Sequence, residues 1–273
     1  MNISTFRTQR KSQKGLVQLL RQGNLLCLAC IACLSLLLWA QGTQAQTVTT
    51  YATGFDGPGR VSFDAAGNMY VPEVNTGLIN KVTLGGSTTT TLATGMSNPR
   101  SIALDATDNL YVADNGLLGG SANTSLWKVT PAGVLSTFVN IGANTNGIVK
   151  DAAGNFYVTR ASPGNDVRKI TPDGTITTFA TGFTFPWHLD IDAAGNLYVN
   201  SANSRKILKV TPAGVVSTFY DYSASGASCS GVALDAAGNV YLSFSLRDFS
   251  NFPTVTSYFE KSRCFGYQHL YVC

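Results

Sequence analysis

The sequence predicts an all-β fold, a β-propeller of four-stranded antiparallel blades set around an axis, and three observations predict it. One eight-residue phrase returns five times, at 64–71 (DAAGNMYV), 105–112 (DATDNLYV), 151–158 (DAAGNFYV), 192–199 (DAAGNLYV) and 235–242 (DAAGNVYL). Its leading aspartates lie 41, 46, 41 and 43 residues apart, a period that marks radial or stacked arrays. Each period also carries up to four strand-length runs separated by turn residues, which is the content of one blade. Five repeat cores are visible in a chain of 273 residues.

The elements of a blade follow in order. A short apolar run reaches the aspartate, at 61–63, 102–104, 148–150, 189–191 and 232–234. The DAAGN phrase then turns the chain: the Asp side chain caps its own turn, Gly supplies a positive φ and Asn tolerates the left-handed region. Asp108 stands where the other four repeats have Gly; Asp is among the residues that enter this region at modest cost, so the turn is expected to survive. The N-x-Y-V segment is the returning strand. A third strand is expected at 81–83, 127–130, 168–171 and 208–211, and three of these run into T-P-x-G turns ending at Gly133, Gly174 and Gly214. Fourth strands leave as 136–138, 177–179 and 217–219. Lys81, Lys128, Lys169 and Lys209 recur on the third strands and read as solvated blade-edge residues that discourage strand addition.

The two ends depart from this pattern. Residues 1–45 hold Arg7, Arg10, Lys11, Lys14 and Arg21 with no acid, then an uncharged apolar run over 25–40, then small and polar residues. That order predicts a secretory signal peptide cleaved after Ala45, with an uncleaved anchor as the alternative, although the apolar run is short of the roughly 20 residues a spanning helix needs. Cleavage implies an extracytoplasmic, periplasmic or secreted protein with no membrane span. Cys27, Cys30 and Cys33 read as small apolar filler within the run, whereas export leaves Cys229, Cys264 and Cys273 in an oxidising compartment. The whole chain has 19 basic and 15 acidic side chains, so the part beyond the leader is close to neutral and lacks the basic excess that nucleic-acid binding needs. Residues 47–55 repeat the wording of 175–183, which suggests an outermost strand that pairs with the last blade. Propeller repeats are expected over 46–242. The tail, 243–273, loses the K-V-T-P-x-G signals. Either 254–261 supplies a degenerate third strand and five blades close the ring, or this is a six-bladed ring cut short; the second reading is favoured, and it implies apolar blade faces left open to association.

The segments PRSIALD at 99–105, NLYVAD at 109–114 and VTPAGVVSTF at 210–219 resemble NHL repeats of exported bacterial proteins, and more distantly the gluconolactonase/regucalcin and virginiamycin B lyase propellers. The resemblance implies six or seven blades. In the gluconolactonase-like pattern it also implies an acid in an E-G-P loop, two asparagines and an aspartate around a divalent cation. Here Asp56-Gly57-Pro58 offers the acid and Asn146-Gly147-Ile148 one asparagine, while Arg100 and Trp187 stand at the other two positions, where a guanidinium and an indole cannot ligate a cation. The lyase pattern is weaker, since His188 sits one position off its P-H-G. A zinc site of the amidating-propeller type would need several histidines, and the chain has only His188 and His269.

With DAAGN and T-P-x-G turns on one face, the opposite face gathers Arg60, Arg100, Asn146, Trp187 and His188 near the axis, with Glu73, Asp114 and Arg160 further along. These are the candidate ligand-binding residues. His188, with Asp190 two positions on and on the same side of a strand, is the weak candidate for catalysis. Asp56 and Asn146 are the weak candidates for a metal. The expectation is therefore a cofactor-free binding or interaction scaffold for a protein, peptide or glycan, with a metal-assisted lactonase or lyase using a divalent cation as the alternative.

Overall fold

The computed structural model describes residues 50–86, 88–116, 125–142, 144–246, 257–259 and 268–272. In each repeat the aspartate organises the first hairpin. Asp64 Oδ1 accepts the backbone N–H of Ala66 at 3.0 Å and of Asn68 at 2.8 Å, and its Oδ2 accepts the Asn68 amide at 2.8 Å and the Tyr70 hydroxyl at 3.1 Å. Asp105, Asp151, Asp192 and Asp235 repeat the bonds to the Asn and to the Tyr. The turn survives at Asp108, which adopts φ 59° and closes its bond to Asp105 O at 3.2 Å.

Five four-stranded antiparallel sheets result. The first holds β1 (Ser62–Phe63), β2 (Met69–Glu73), β3 (Leu78–Val82) and β4 (Thr89–Ala93). The second holds β5 (Pro99–Leu104), β6 (Leu110–Asp114), β7 (Ser125–Val129) and β8 (Leu135–Asn140). The third runs through β9 (Thr145–Lys150), β10 (Phe156–Arg160), β11 (Asp166–Ile170) and β12 (Ile176–Ala180), and the fourth through β13 (Pro186–Ile191), β14 (Leu197–Ser201), β15 (Lys206–Val210) and β16 (Val216–Asp221). In the fifth, β17 (Ser228–Leu234) and β18 (Val240–Leu246) are followed by β19 (Ser257–Phe259) and β20 (Gln268–Val272), and the spatial order is β17-β18-β20-β19.

The apolar positions of the strands pack sheet on sheet. One hydrophobic cluster fills each junction from the first and second sheets to the fourth and fifth, with Leu110 and Ile79, Ile148 and Leu126, Leu189 and Val167, and Phe244 and Ile207 among the buried members. The lysines of the third strands contribute here too. Tyr70, Tyr111, Tyr157 and Tyr198 face Lys81, Lys128, Lys169 and Lys209 in cross-strand register, and each ammonium lies over its ring, 5.3–5.8 Å from the centroid. The third strand of each of these four sheets is flanked by the second and the fourth, so these lysines do not stand at the blade edge expected from sequence, and a cation–π pairing is the role the structure gives them.

Both ends differ from expectation. The third strand of the fifth sheet comes from 268–272, and 257–259 forms the edge beside it. The tail therefore completes a four-stranded sheet, by a different pairing from the one expected at 254–261. At the other end, residues 50–55 form no strand. Tyr51 instead meets the β3–β4 turn of the first sheet: its hydroxyl donates to Thr83 O at 3.3 Å and accepts from Gly85 N at 2.8 Å. Residues 1–49, which include the expected leader, and Cys264 and Cys273 lie outside the described residues. Cys229 is buried and, among the described residues, makes no disulfide, with burial pushing its thiol up to about 12. Among the described residues no helix is long and apolar enough to cross a membrane.

The repeated aspartates set an acid limit on the fold. Burial raises the carboxyls of Asp64, Asp105, Asp151 and Asp192, but hydrogen bonds from the turn outweigh it, holding Asp105 at about 2 and the other three below their ordinary value. Asp235 is lowered by its bonds to Asn239. Groups with depressed native pKa stabilise the fold above the unfolded value near 4 and lose that contribution as pH falls towards 2. Melting temperature is expected to hold from neutral pH to about 4 and then drop steeply; a level curve down to pH 2.5 would contradict the assignment.

Candidate functional site

The innermost strands carry the site, and they are longer than the apolar runs that mark them. β5, β9, β13 and β17 each extend three or four residues towards the loop face and contain one irregularity opposite β6, β10, β14 and β18. One extra residue opposes the partner strand at each: Arg100, the Asn146-Gly147 pair, the Trp187-His188 pair and Ser230 occupy these bulges. A β-bulge breaks the alternation of side chains and re-aims them. Residues expected on loops are thereby fixed on strands around one axis. Small residues let the strands approach: a Cβ on Gly59 would lie 2.5 Å from Arg100 O, and one on Gly147 would lie 2.7 Å from Leu189 Cδ2.

Arg60 spans the axis. Its backbone N–H donates to Arg100 O at 2.8 Å, tying the first sheet to the second. Its guanidinium reaches the fourth sheet, pairing with Asp190 Oδ2 at 3.3 Å and donating to Leu189 O. Asp190 Oδ2 also accepts Leu234 N at 2.8 Å from the fifth sheet. One carboxylate therefore joins the first, fourth and fifth sheets.

Above this pair lies a cavity of about 410 Å³, bordered by Arg60, Arg100, Trp187, His188 and Ser230. One wall is Pro58, Gly59 and Val74 of the first sheet and its approach loop; the other is Val232, Leu242 and their neighbours in the fifth. The cavity thus occupies the seam between the first and fifth sheets. The Arg100 guanidinium lies 4.9 Å from the Trp187 ring centroid, and Trp187 stacks on Phe185 at 5.6 Å with 17° between the planes. Phe185 holds φ 55°, a left-handed conformation that is an outlier for a bulky residue. Its backbone is fixed there by Asn165 Oδ1, which accepts Phe185 N at 3.1 Å, and by Ala202 N, which donates to Phe185 O at 3.2 Å.

His188 does not form the pair with Asp190 that strand alternation suggested. Its ring lies in the bulge, where alternation fails, and Nδ1 meets Ser230 O at 2.7 Å. A carbonyl can only accept, so Nδ1 carries the proton and Nε2 keeps its lone pair. Burial, then the charges of Arg60 and Arg100, lower His188 to about 4 against the bond to Ser230, so the ring is neutral at pH 7.

The other candidates stand apart from the cavity and are spent on structure. Glu73 is buried and accepts Thr76 Oγ1 at 2.6 Å and Asn80 Nδ2 at 2.7 Å. Asp114, fully buried, accepts the backbone N–H groups of Ser97, Asn98 and Gly116 and the Trp127 indole N–H. Arg160 forms a bidentate pair with Asp166 at 2.7 and 2.6 Å. Each of these side chains fastens a loop at the end of a second strand, a role the residue type alone does not announce.

Asp56 and Asn146 do not fit a divalent cation. Asp56 is exposed and accepts the Asn75 amide at 2.7 Å; Asn146 is buried and donates its amide to Pro186 O at 3.2 Å. At the two further positions of the gluconolactonase-like pattern a guanidinium rests on an indole. No group of three or more His, Cys, Asp or Glu that could hold a metal occurs among the described residues.

No family model matches the sequence, and no curated protein sequence matches it either. Solved structures do match in fold. The virginiamycin B lyase of Staphylococcus aureus aligns with a TM-score of 0.57 at 15% identity, over 69% of this chain and 66% of the lyase. A candidate gluconolactonase aligns with a TM-score of 0.56 at 14% identity, over 68% of this chain and 70% of its own. A chain of the nidogen/laminin complex aligns with a TM-score of 0.60 at 20% identity, over 69% of this chain and 74% of its own. The chain therefore spans slightly less than two thirds of the lyase, and its neighbours include both enzymes and a binding protein. At these identities the likeness establishes the fold, and the chain is a β-propeller of four-stranded sheets.

Proposed function

We propose that this chain is an exported propeller of the NHL type that binds a protein, peptide or glycan through the cavity on its loop face, rather than an enzyme. One observation carries the reading: the cavity is lined by two arginines, an indole, a neutral imidazole and apolar walls with no carboxylate among the described lining residues, and nearby Asp190 is taken by Arg60 and Leu234 N. In a Ser-His-Asp type of site a carboxylate behind the imidazole stabilises the imidazolium that forms, and His188 has a neutral carbonyl in that place. A metal-assisted lactonase or lyase is the alternative, supported by the fold neighbours.

Calorimetric titration with Ca²⁺ and Mg²⁺ separates the two. The binding reading expects no micromolar site in the wild-type chain. Micromolar binding that is lost in Asp56→Ala or Asn146→Ala would overturn it in favour of the metal-assisted enzyme.

A further inference from the structure

The charges around the cavity do not balance. Arg60 is compensated by Asp190. Arg100 is not: among the described residues it makes no ion pair, and its Nε is shielded from solvent with no acceptor. Burial lowers the guanidinium's pKa, yet arginine stays protonated at neutral pH. His188 adds no charge at that pH. The cavity therefore carries one uncompensated positive charge, held over Trp187 by a ring contact that leaves its in-plane N–H groups without an acid to meet.

A shielded donor without a partner is costly, and the structure holds Arg100 in that condition with several supports. The bulge fixes its backbone. The Phe185–Trp187 stack, maintained by the left-handed backbone at Phe185, supports its face. Strain of this kind persists where the surroundings over-determine it, at ligand sites among others. Beyond Arg100 the walls turn apolar, with Val74, Val232 and Leu242 facing the seam.

We infer that the cavity takes a monocarboxylate borne on an apolar body: the carboxylate accepts from Arg100 and the body lies in the seam between the first and fifth sheets. A guanidinium suits this group because its parallel N–H donors match the two carboxylate oxygens. A chain terminus ending in an apolar residue and a free organic acid share this chemistry. The inference rests on the reading of the cavity as a binding site and names what it selects.

The test uses two matched pairs, each differing only in charge: N-acetyl-Gly-Leu and its C-terminal amide, and benzoate and benzamide. Affinities are measured by calorimetry on the wild-type chain and on Arg100→Gln, with thermal melts to establish that the variant folds. In at least one pair the acid is expected to bind about tenfold or more tightly than its amide, the difference a charge-assisted bond makes, and Arg100→Gln is expected to erase the difference. Preference confined to the first pair identifies a chain terminus, and preference in the second a free acid. Acid and amide binding alike would overturn the inference and leave the binding reading standing. No binding of any probe, or a preference unchanged in a folded Arg100→Gln, would also overturn it. The cation titration remains the separate judge of the binding reading.

Discussion

Asp114→Ala is expected to cost about 3–5 kcal/mol of folding stability, the effect of leaving buried donors opposite an empty acceptor. Four donors converge on this fully buried carboxylate: Ser97 N at 3.0 Å, Asn98 N at 2.7 Å, Gly116 N at 3.1 Å and Trp127 Nε1 at 2.9 Å. Three belong to backbone, and alanine supplies no acceptor for any of the four. Domains of ordinary stability have about 5–15 kcal/mol in total, so the variant should sit near its folding limit. Asp114→Asn keeps one accepting oxygen but turns an N–H₂ towards the remaining donors, and it should recover only part of the loss. Urea melts of the two variants provide the measurement. A loss below about 1 kcal/mol for Asp114→Ala would mean that water replaces the carboxylate freely.

Phe244→Ala is expected to cost about 3–5 kcal/mol as well, by a different route, the lost transfer energy and cavity of a buried aromatic. Phe244 is fully buried and meets the Tyr222 ring edge-on, with centroids 5.2 Å apart. With Val232, Leu242 and Cys229 it forms the only hydrophobic cluster among the described residues that attaches the fifth sheet to the rest. A fall in melting temperature of roughly 10 °C is the corresponding shift for a chain of this size. The location makes the result informative. If the fifth sheet is part of the cooperative fold, the whole transition moves; if only a minor early transition moves, the other four sheets melt without it.

The parts of this fold that are legible in sequence are those fixed by local chemistry. An Asp that caps its own turn, a Gly at positive φ and an Asn that answers the Asp are contained within five residues, so all five hairpins are readable, the altered one at Asp108 included. The contacts that make the site are not local. Arg60 meets Asp190 from 130 residues away, and no pattern within either segment marks the other. Bulges are also silent, because one extra residue alters no composition; Trp187 and His188 lie within one, and the side-to-side alternation used to pair His188 with Asp190 does not hold across it. A partial signal was present in the repeats. Counted back from the aspartates, Arg100, Asn146, Trp187 and Ser230 share one position, where an aligned structural repeat places unlike side chains in the same ring. The roles of Glu73, Asp114 and Arg160 were hidden for a related reason: charged residues at strand ends look like ligands until the donors that consume them are seen. The lysine–tyrosine pairs are written into the repeats as a recurring Lys and a recurring Tyr that the strand register sets opposite one another.

The exchanged order of the outer strands in the fifth sheet has a consequence for how a chain that emerges end-first, from a ribosome or across a membrane, acquires its fold. In the first four sheets each strand pairs with one already made, so every sheet can zip up as the polypeptide emerges, at roughly 5–20 residues per second. In the fifth, the segment 257–259 appears before 268–272, its only partner in that sheet. It must wait, and the later segment must then insert between it and β18. Vectorial folding is therefore interrupted at one point, and a nascent chain stalled between these two segments would present four finished sheets beside a two-stranded hairpin, a natural place for a chaperone to intervene.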